Sequence, residues 1–139
     1  MTETTEQFDL AGQVIGLAMT VHRELGSGFL ESVYESALVI ELESTGLDVE
    51  QQKTLTVNYK GTEVGHYVAD LVIGSELIIE LKSVQNLTVP HEVQLVHYLT
   101  ATGIDEGLLL NFGSQSLQFK KKYRKFKPDH HPENFVKFR

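Results

Sequence analysis

The sequence predicts a single-domain α/β protein with the element order ααβββαββ and a mixed central sheet flanked by helices. Three observations lead there. Up to Ser44, apolar residues recur at three- and four-residue steps, the period of a helix. From Val49 onward the pattern turns to two-residue alternation and short apolar runs, punctuated by Lys60-Gly61 and Gly74-Ser75, as in strands joined by tight turns. A third helical stretch then separates two strand-like runs, and a crossover of that kind allows a parallel strand pair.

The elements follow in order. Phe8, Ala11, Ile15, Ala18, His22 and Leu25 form a helical stripe, widened by Val14, Leu17 and Val21 and broken by Gly26-Ser27-Gly28. A second helix is predicted from Leu30 to Ser44, with Leu30, Val33, Ala37 and Ile40 as its buried face and Gly46 as its stop. Strands are predicted over Val49–Tyr59, Val64–Ile73 and Leu77–Lys82. Thr88 suits an N-cap and Pro90 a first turn, so a helix should run from Val89 to Ala101, closed by Gly103. Leu108-Leu109-Leu110 lies within a run, Gly107–Phe112, that fits a strand buried on both faces. Ser116–Tyr123 reads as a last, edge-like strand.

Composition narrows the function. Hydrophobic residues at 41% and charged residues at 22% fit a globular chain and not a disordered one. No apolar run approaches the ~20 residues that cross a bilayer, so no membrane partner is expected. The acidic start Met1-Thr-Glu-Thr-Thr-Glu does not read as a secretory signal. With no cysteine there is no disulfide, thiolate zinc site or Cys nucleophile, and a reducing cytoplasm is the expected location. Gly-rich phosphate loops, Gly-x-Ser-x-Gly elbows and His-Glu-x-x-His pairs are also missing.

The net charge of −7 is unevenly spread. Residues 1–119 hold only Arg23, Lys53, Lys60 and Lys82 against 17 acids, whereas residues 120–139 carry 8 of the 12 basic side chains. A basic tail can hold phosphates, or it can simply neutralise an acidic body; charge alone leaves both open. The acidic body argues against a broad non-specific DNA surface. The predicted organisation is one domain over residues 1–123 and a basic C-terminal tail over 124–139, in which His130-His131 has no partner spacing for zinc.

Chemistry concentrates at the third strand. Glu80 and Lys82 flank Leu81 and therefore project from one strand face. Asp70 lies on the preceding strand, and a hairpin can bring both carboxylates to the same sheet end. Neighbouring carboxylates repel and so call for a cation. Oxygen-only ligands suit Mg²⁺ or Mn²⁺, and a lysine beside the ion can orient or activate a water. An ordinary strand-end ion pair of Lys82 with Glu80 or Asp70 fits the same residues. Gln94 and Tyr98, four apart, share a helix face with His91 one turn earlier, either as site support or as the helix's polar edge.

Asp70…Glu80-x-Lys82…Gln94-x-x-x-Tyr98 resembles the core signature of the PD-(D/E)XK nuclease superfamily, in its RecB-like branch. Gly28-Phe-Leu-Glu-Ser-Val-Tyr34 matches the motif of the bacterial GxxExxY protein family, which is placed among PD-(D/E)XK-like proteins. Val21-His-Arg-Glu-Leu-Gly26, Glu35 and Gly107-Leu-Leu-Leu-Asn-Phe-Gly113 extend that match from about Gly12 to Tyr123. One departure is Ala69, where the name motif has proline. The resemblance implies a restriction-endonuclease-like core and a Mg²⁺- or Mn²⁺-dependent nuclease acting on nucleic acid. It implies metal ligation by Asp70, Glu80 and a first-core-helix glutamate, Glu31 before Glu35, with catalytic roles for Lys82, Gln94 and Tyr98. His22 is expected to pack or hydrogen-bond near the helix junction. The superfamily also contains members that bind without cleaving, so a nuclease-fold binding module is the alternative.

Overall fold

The computed structural model describes residues 9–124. Its elements are α1 (Leu10–Leu25), α2 (Glu31–Ser44), β1 (Val49–Tyr59), β2 (Thr62–Ile73), β3 (Leu77–Lys82), α3 (Val89–Thr102), β4 (Glu106–Asn111) and β5 (Gln118–Tyr123). The order is the ααβββαββ read from the sequence. Phe8, His130-His131 and the tail beyond Arg124 lie outside the described residues.

The five strands form one sheet in the order β1-β2-β3-β4-β5. Every neighbouring pair is antiparallel except β3–β4, which the α3 crossover makes parallel. Leu71, Ile73, Leu77, Ile79, Leu81, Leu108 and Leu110 pack under α1 and α2. Ala69, Val72, Ile78 and Leu109 pack against Leu95 and Leu99 of α3 on the other face. The central leucine run of β4 is thus buried on both sides, as a strand between two helical layers requires. Among the described residues no helix is long and apolar enough to cross a membrane.

Caps set the helix ends. Asp9 accepts the Gly12 N–H at 3.0 Å and starts α1. Thr88 caps α3, and His91 Nδ1 accepts the Thr88 N–H at 3.2 Å to close a capping box. Gly103, left-handed at φ 80°, ends α3.

The buried face of α2 differs from the predicted one. Leu30 and Ile40 are 77% and 68% exposed, Val33 is exposed as well, and α2 buries Tyr34, Glu35, Leu38, Val39 and Leu42 instead. The rotation follows from Tyr34. Its ring stacks on Phe112 at 4.6 Å, and its hydroxyl donates to the Gly26 carbonyl at 2.5 Å while accepting the Phe29 N–H at 3.1 Å. The observed face thus buries this ring together with Leu38, Val39 and Leu42.

Candidate active site

The β2–β3 ladder has three rungs, Leu71↔Ile79, Val72↔Ile78 and Ile73↔Leu77, and then the strands splay. At the open end the two carboxylates take over from the backbone. Asp70 Oδ2 accepts the Leu81 N–H at 2.9 Å, and Glu80 Oε2 accepts the Asp70 N–H at 3.2 Å. Each acid therefore reaches the partner strand, and Asp70 and Glu80 meet at one sheet end.

They meet from two sides. Strict alternation would put Ala69 and Leu71 on one face, yet Ala69 packs toward α3 and Leu71 toward α1 and α2. The chain changes face at Asp70. Opposite it on β1, the rungs Gln51↔Leu71 and Lys53↔Ala69 bracket Gln52, which has φ 48°. Asp70 consequently faces an open cleft of about 780 Å³, whose lining includes Phe29, Glu31, Glu35, Gln52 and Ser83. There Gln52 Nε2 donates to Glu35 Oε1 at 3.0 Å and to Asp70 Oδ1 at 3.3 Å, and Gln51 Nε2 donates to Glu35 Oε2 at 3.0 Å. Glu35 is buried, whereas Glu31 lines the same cleft as an exposed side chain.

Glu80 and Lys82 lean toward α3, into a small pocket with Tyr67, His91, Gln94 and Tyr98. The Tyr67 hydroxyl donates to Glu80 Oε2, and the Tyr67 ring stacks on Tyr98 with centroids 3.6 Å apart. Burial, reinforced by the charge of Asp70, pushes the Glu80 carboxyl up to about 7; the Tyr67 and Asp70 hydrogen bonds and Lys82 only partly offset this. Burial and then Glu80 push the Tyr67 hydroxyl up as well. Among the described residues, Lys82 forms no ion pair with Glu80 or Asp70, so the strand-end salt bridge does not form. Gln94 is exposed and Tyr98 half-buried.

The predicted site residues thus fall into two adjoining groups, Asp70 with the cleft-lining Glu31, and Glu80 with Lys82, Gln94 and Tyr98. Among the described residues no three His, Asp or Glu side chains are grouped closely enough to enclose a metal ion unaided. The acids of the cleft, Glu31, Glu35 and Asp70, offer carboxylate oxygens. They suit a hard ion that takes one or two protein carboxylates and completes its shell with water and substrate oxygens.

Sequence reading missed Tyr67, Gln51 and Gln52. Alternation places Tyr67 on the face of Ala69, a usable signal, but nothing local marks a left-handed residue inside a strand. Three other motif positions hold the chain in place. Asn111 is fully buried; its Oδ1 accepts the Val84 and Gly113 N–H groups at 3.0 Å, fixing the chain just after Lys82. A Cβ on Gly113 would collide with the Val84 backbone. His22 Nε2 lies 3.0 Å from the Ser114 carbonyl, near the helix junction as expected. At the C-terminal end Lys121, Lys122 and Arg124 pair with Asp9, Glu92 and Asp105 at 3.6, 3.0 and 2.8 Å.

A family model described as the PD-(D/E)XK nuclease superfamily matches residues 8–126. No curated protein matches the sequence. Among solved structures, SSO0001 is similar at a TM-score of 0.55 and 17% identity, over 76% of this chain and 54% of its own. This chain therefore spans about half of SSO0001. LHK-Exo, solved in complex with dAMP, is similar at a TM-score of 0.51 and 12% identity, over 86% of this chain and 73% of its own.

Proposed function

Because the chain belongs to the PD-(D/E)XK nuclease superfamily, we propose that it hydrolyses phosphodiester bonds of nucleic acid, with Mg²⁺ or Mn²⁺ held at the splayed ends of β2 and β3. The resemblance to the GxxExxY family is part of the same reading. One observation carries it: where the ladder ends, Glu80 Oε2 accepts the Asp70 N–H and Asp70 Oδ2 accepts the Leu81 N–H, so both acids sit at the splayed strand ends with Lys82 two residues beyond Glu80. Two acids held against each other without a cation are unfavourable unless a ligand repays the arrangement.

In this reading Asp70, Glu80 and a glutamate of α2 hold the ion, and the Leu81 carbonyl adds a further oxygen. Glu35, which shares Gln52 with Asp70, stands beside Glu31 for the α2 position. A bound divalent ion supplies Lewis-acid polarisation of the phosphate and a more acidic water. Lys82 orients the attacking water and offsets charge on the phosphate. Gln94 and Tyr98 support Lys82 and the phosphate from α3, and Tyr67 aims the Glu80 carboxylate. The capture of dAMP by LHK-Exo, a protein of similar fold, supports a nucleotide as ligand.

The test is a Mg²⁺ and Mn²⁺ titration of cleavage on single- and double-stranded DNA and RNA. Wild-type cleavage should depend on the metal, and Lys82→Ala should lower it by about 10²-fold or more. A wild-type protein that binds these substrates but cleaves none of them would leave the non-catalytic binding module as the better account.

A further inference from the structure

We infer that Gln52 is a neutral placeholder for the cation: its side-chain amide holds Glu35 and Asp70 together in the metal-free protein and gives way when a divalent ion binds between them. The inference rests on the metal-dependent reading above and names a residue that this reading does not use.

The position is built for the purpose. Gln52 stands at φ 48° in the middle of a strand, a conformation non-glycine residues seldom adopt and one that persists only when the surroundings impose it. It sits where β2 changes face, opposite Asp70, and its side chain enters the cleft instead of following the pleat. One nitrogen reaches both acids, at 3.0 and 3.3 Å from the Glu35 oxygens and 3.3 Å from Asp70 Oδ1. Both partners are acceptors when ionised, so the end of the amide facing them must be its donor. Among the described residues neither Glu35 nor Asp70 has an ion-pair partner. Gln51 also donates to Glu35 and the Leu81 N–H to Asp70, but it is the Gln52 amide that joins the two acids, and it offsets their charge only in part, since it carries no net charge.

Geometry makes the exchange competitive. Mg²⁺ binds oxygen at about 2.0–2.1 Å. Carboxylates drawn to that distance around one ion leave no room for the nitrogen between them. Linkage then ties two measurements together. Whatever stability the metal-free protein loses without the amide should reappear as tighter metal binding.

Three proteins test this: wild type, Gln52→Glu and Gln52→Gly, each melted without metal and titrated with Mn²⁺ by calorimetry. Gln52→Glu keeps the shape and adds a third negative charge, so its metal-free Tm should fall by several degrees and its Mn²⁺ affinity should rise about tenfold. Gln52→Gly accepts φ 48° freely and removes the amide; its Mn²⁺ affinity should rise several-fold. A Gln52→Gly protein that binds Mn²⁺ no more tightly than wild type overturns the placeholder, as does a Gln52→Glu protein that melts like wild type without metal. If wild type gives no Mn²⁺ heat and no Tm gain, the metal-dependent reading fails first, and the placeholder with it. Should Gln52→Gly fail to fold, Gln52→Glu still tests the contact, since a metal-free protein that melts like wild type overturns the placeholder.

Discussion

The two ends of the β2–β3 hairpin are only three residues apart in register, yet they do opposite things. At the turn end, Leu71, Val72 and Ile73 face Leu77, Ile78 and Ile79, and all six are buried. At the open end, Asp70 and Glu80 replace backbone rungs with carboxylates that repel each other. Apolar burial at one end stabilises the strands that hold like charges together at the other. Stability and chemistry are therefore separable here, one pleat from each other, and substitutions at each end should move different observables.

The largest expected effect lies at the closed end. Leu77, on the rung beside the turn, is fully buried under α1 and α2, so Leu77→Ala should lower the unfolding free energy by about 2–5 kcal/mol in urea denaturation. The folded fraction should keep its Mn²⁺ affinity, because no carboxylate loses a partner. A large change in affinity would mean that the two ends are coupled and that the contrast drawn above is false.

At the open end the sign reverses. The Glu80 carboxyl is raised from 4.5 to about 7 in the folded chain, so folding favours its protonated form. That contribution is fully present below about pH 4.5, is lost as the pH rises to about 7, and stays lost above. At about 1.4 kcal/mol per unit, the loss approaches roughly 3 kcal/mol at most. In metal-free buffer at pH 8, Glu80→Gln should therefore melt higher than wild type. The difference between the two melting curves should vanish toward pH 4. With millimolar Mn²⁺ the order should narrow or invert, since the wild-type acid then has a cation. Equal melting at pH 8 without metal would remove the electrostatic cost from the open end.

How legible these two ends were in the sequence follows from their physics. The closed end, like the rest of the sheet, is written in local periodicity: the sequence predicts Val49–Tyr59 and Leu77–Lys82 at their observed bounds because alternation and turn residues are short-range signals. Glu80 and Lys82 could be assigned to one face for the same reason, and they do share a pocket. The face of α2 could not be fixed in this way. Two stripes compete on that helix, and the choice depends on Tyr34 meeting Phe112 across some 78 residues of chain. Gln52 was out of reach altogether, because a left-handed residue inside a strand is imposed by the partner strand and the cleft. Tyr67 lay between: its face could be read, but its stacking on Tyr98 requires the packing of α3 onto β2.

The smallest effect belongs to a third place, the loop between α1 and α2 that walls the cleft without touching the ladder. Tyr34 pins this loop with one hydroxyl, donating to Gly26 and accepting from Phe29, and Ser83 adds a hydrogen bond to the Phe29 carbonyl at 2.9 Å. Tyr34→Phe keeps the ring stacked on Phe112 and removes only those two bonds. The expected cost is about 1 kcal/mol, a fall in Tm of a few degrees. Mn²⁺ affinity should stay within twofold of wild type, because Asp70, Glu80 and Glu35 keep their partners. The pair of measurements sharpens the contrast between the two strand ends. A Tm loss with unchanged affinity places the loop with the scaffold, beside the apolar rungs. A several-fold loss of affinity at the same Tm cost would place it with the carboxylates, and the cleft wall would then belong to the binding site itself.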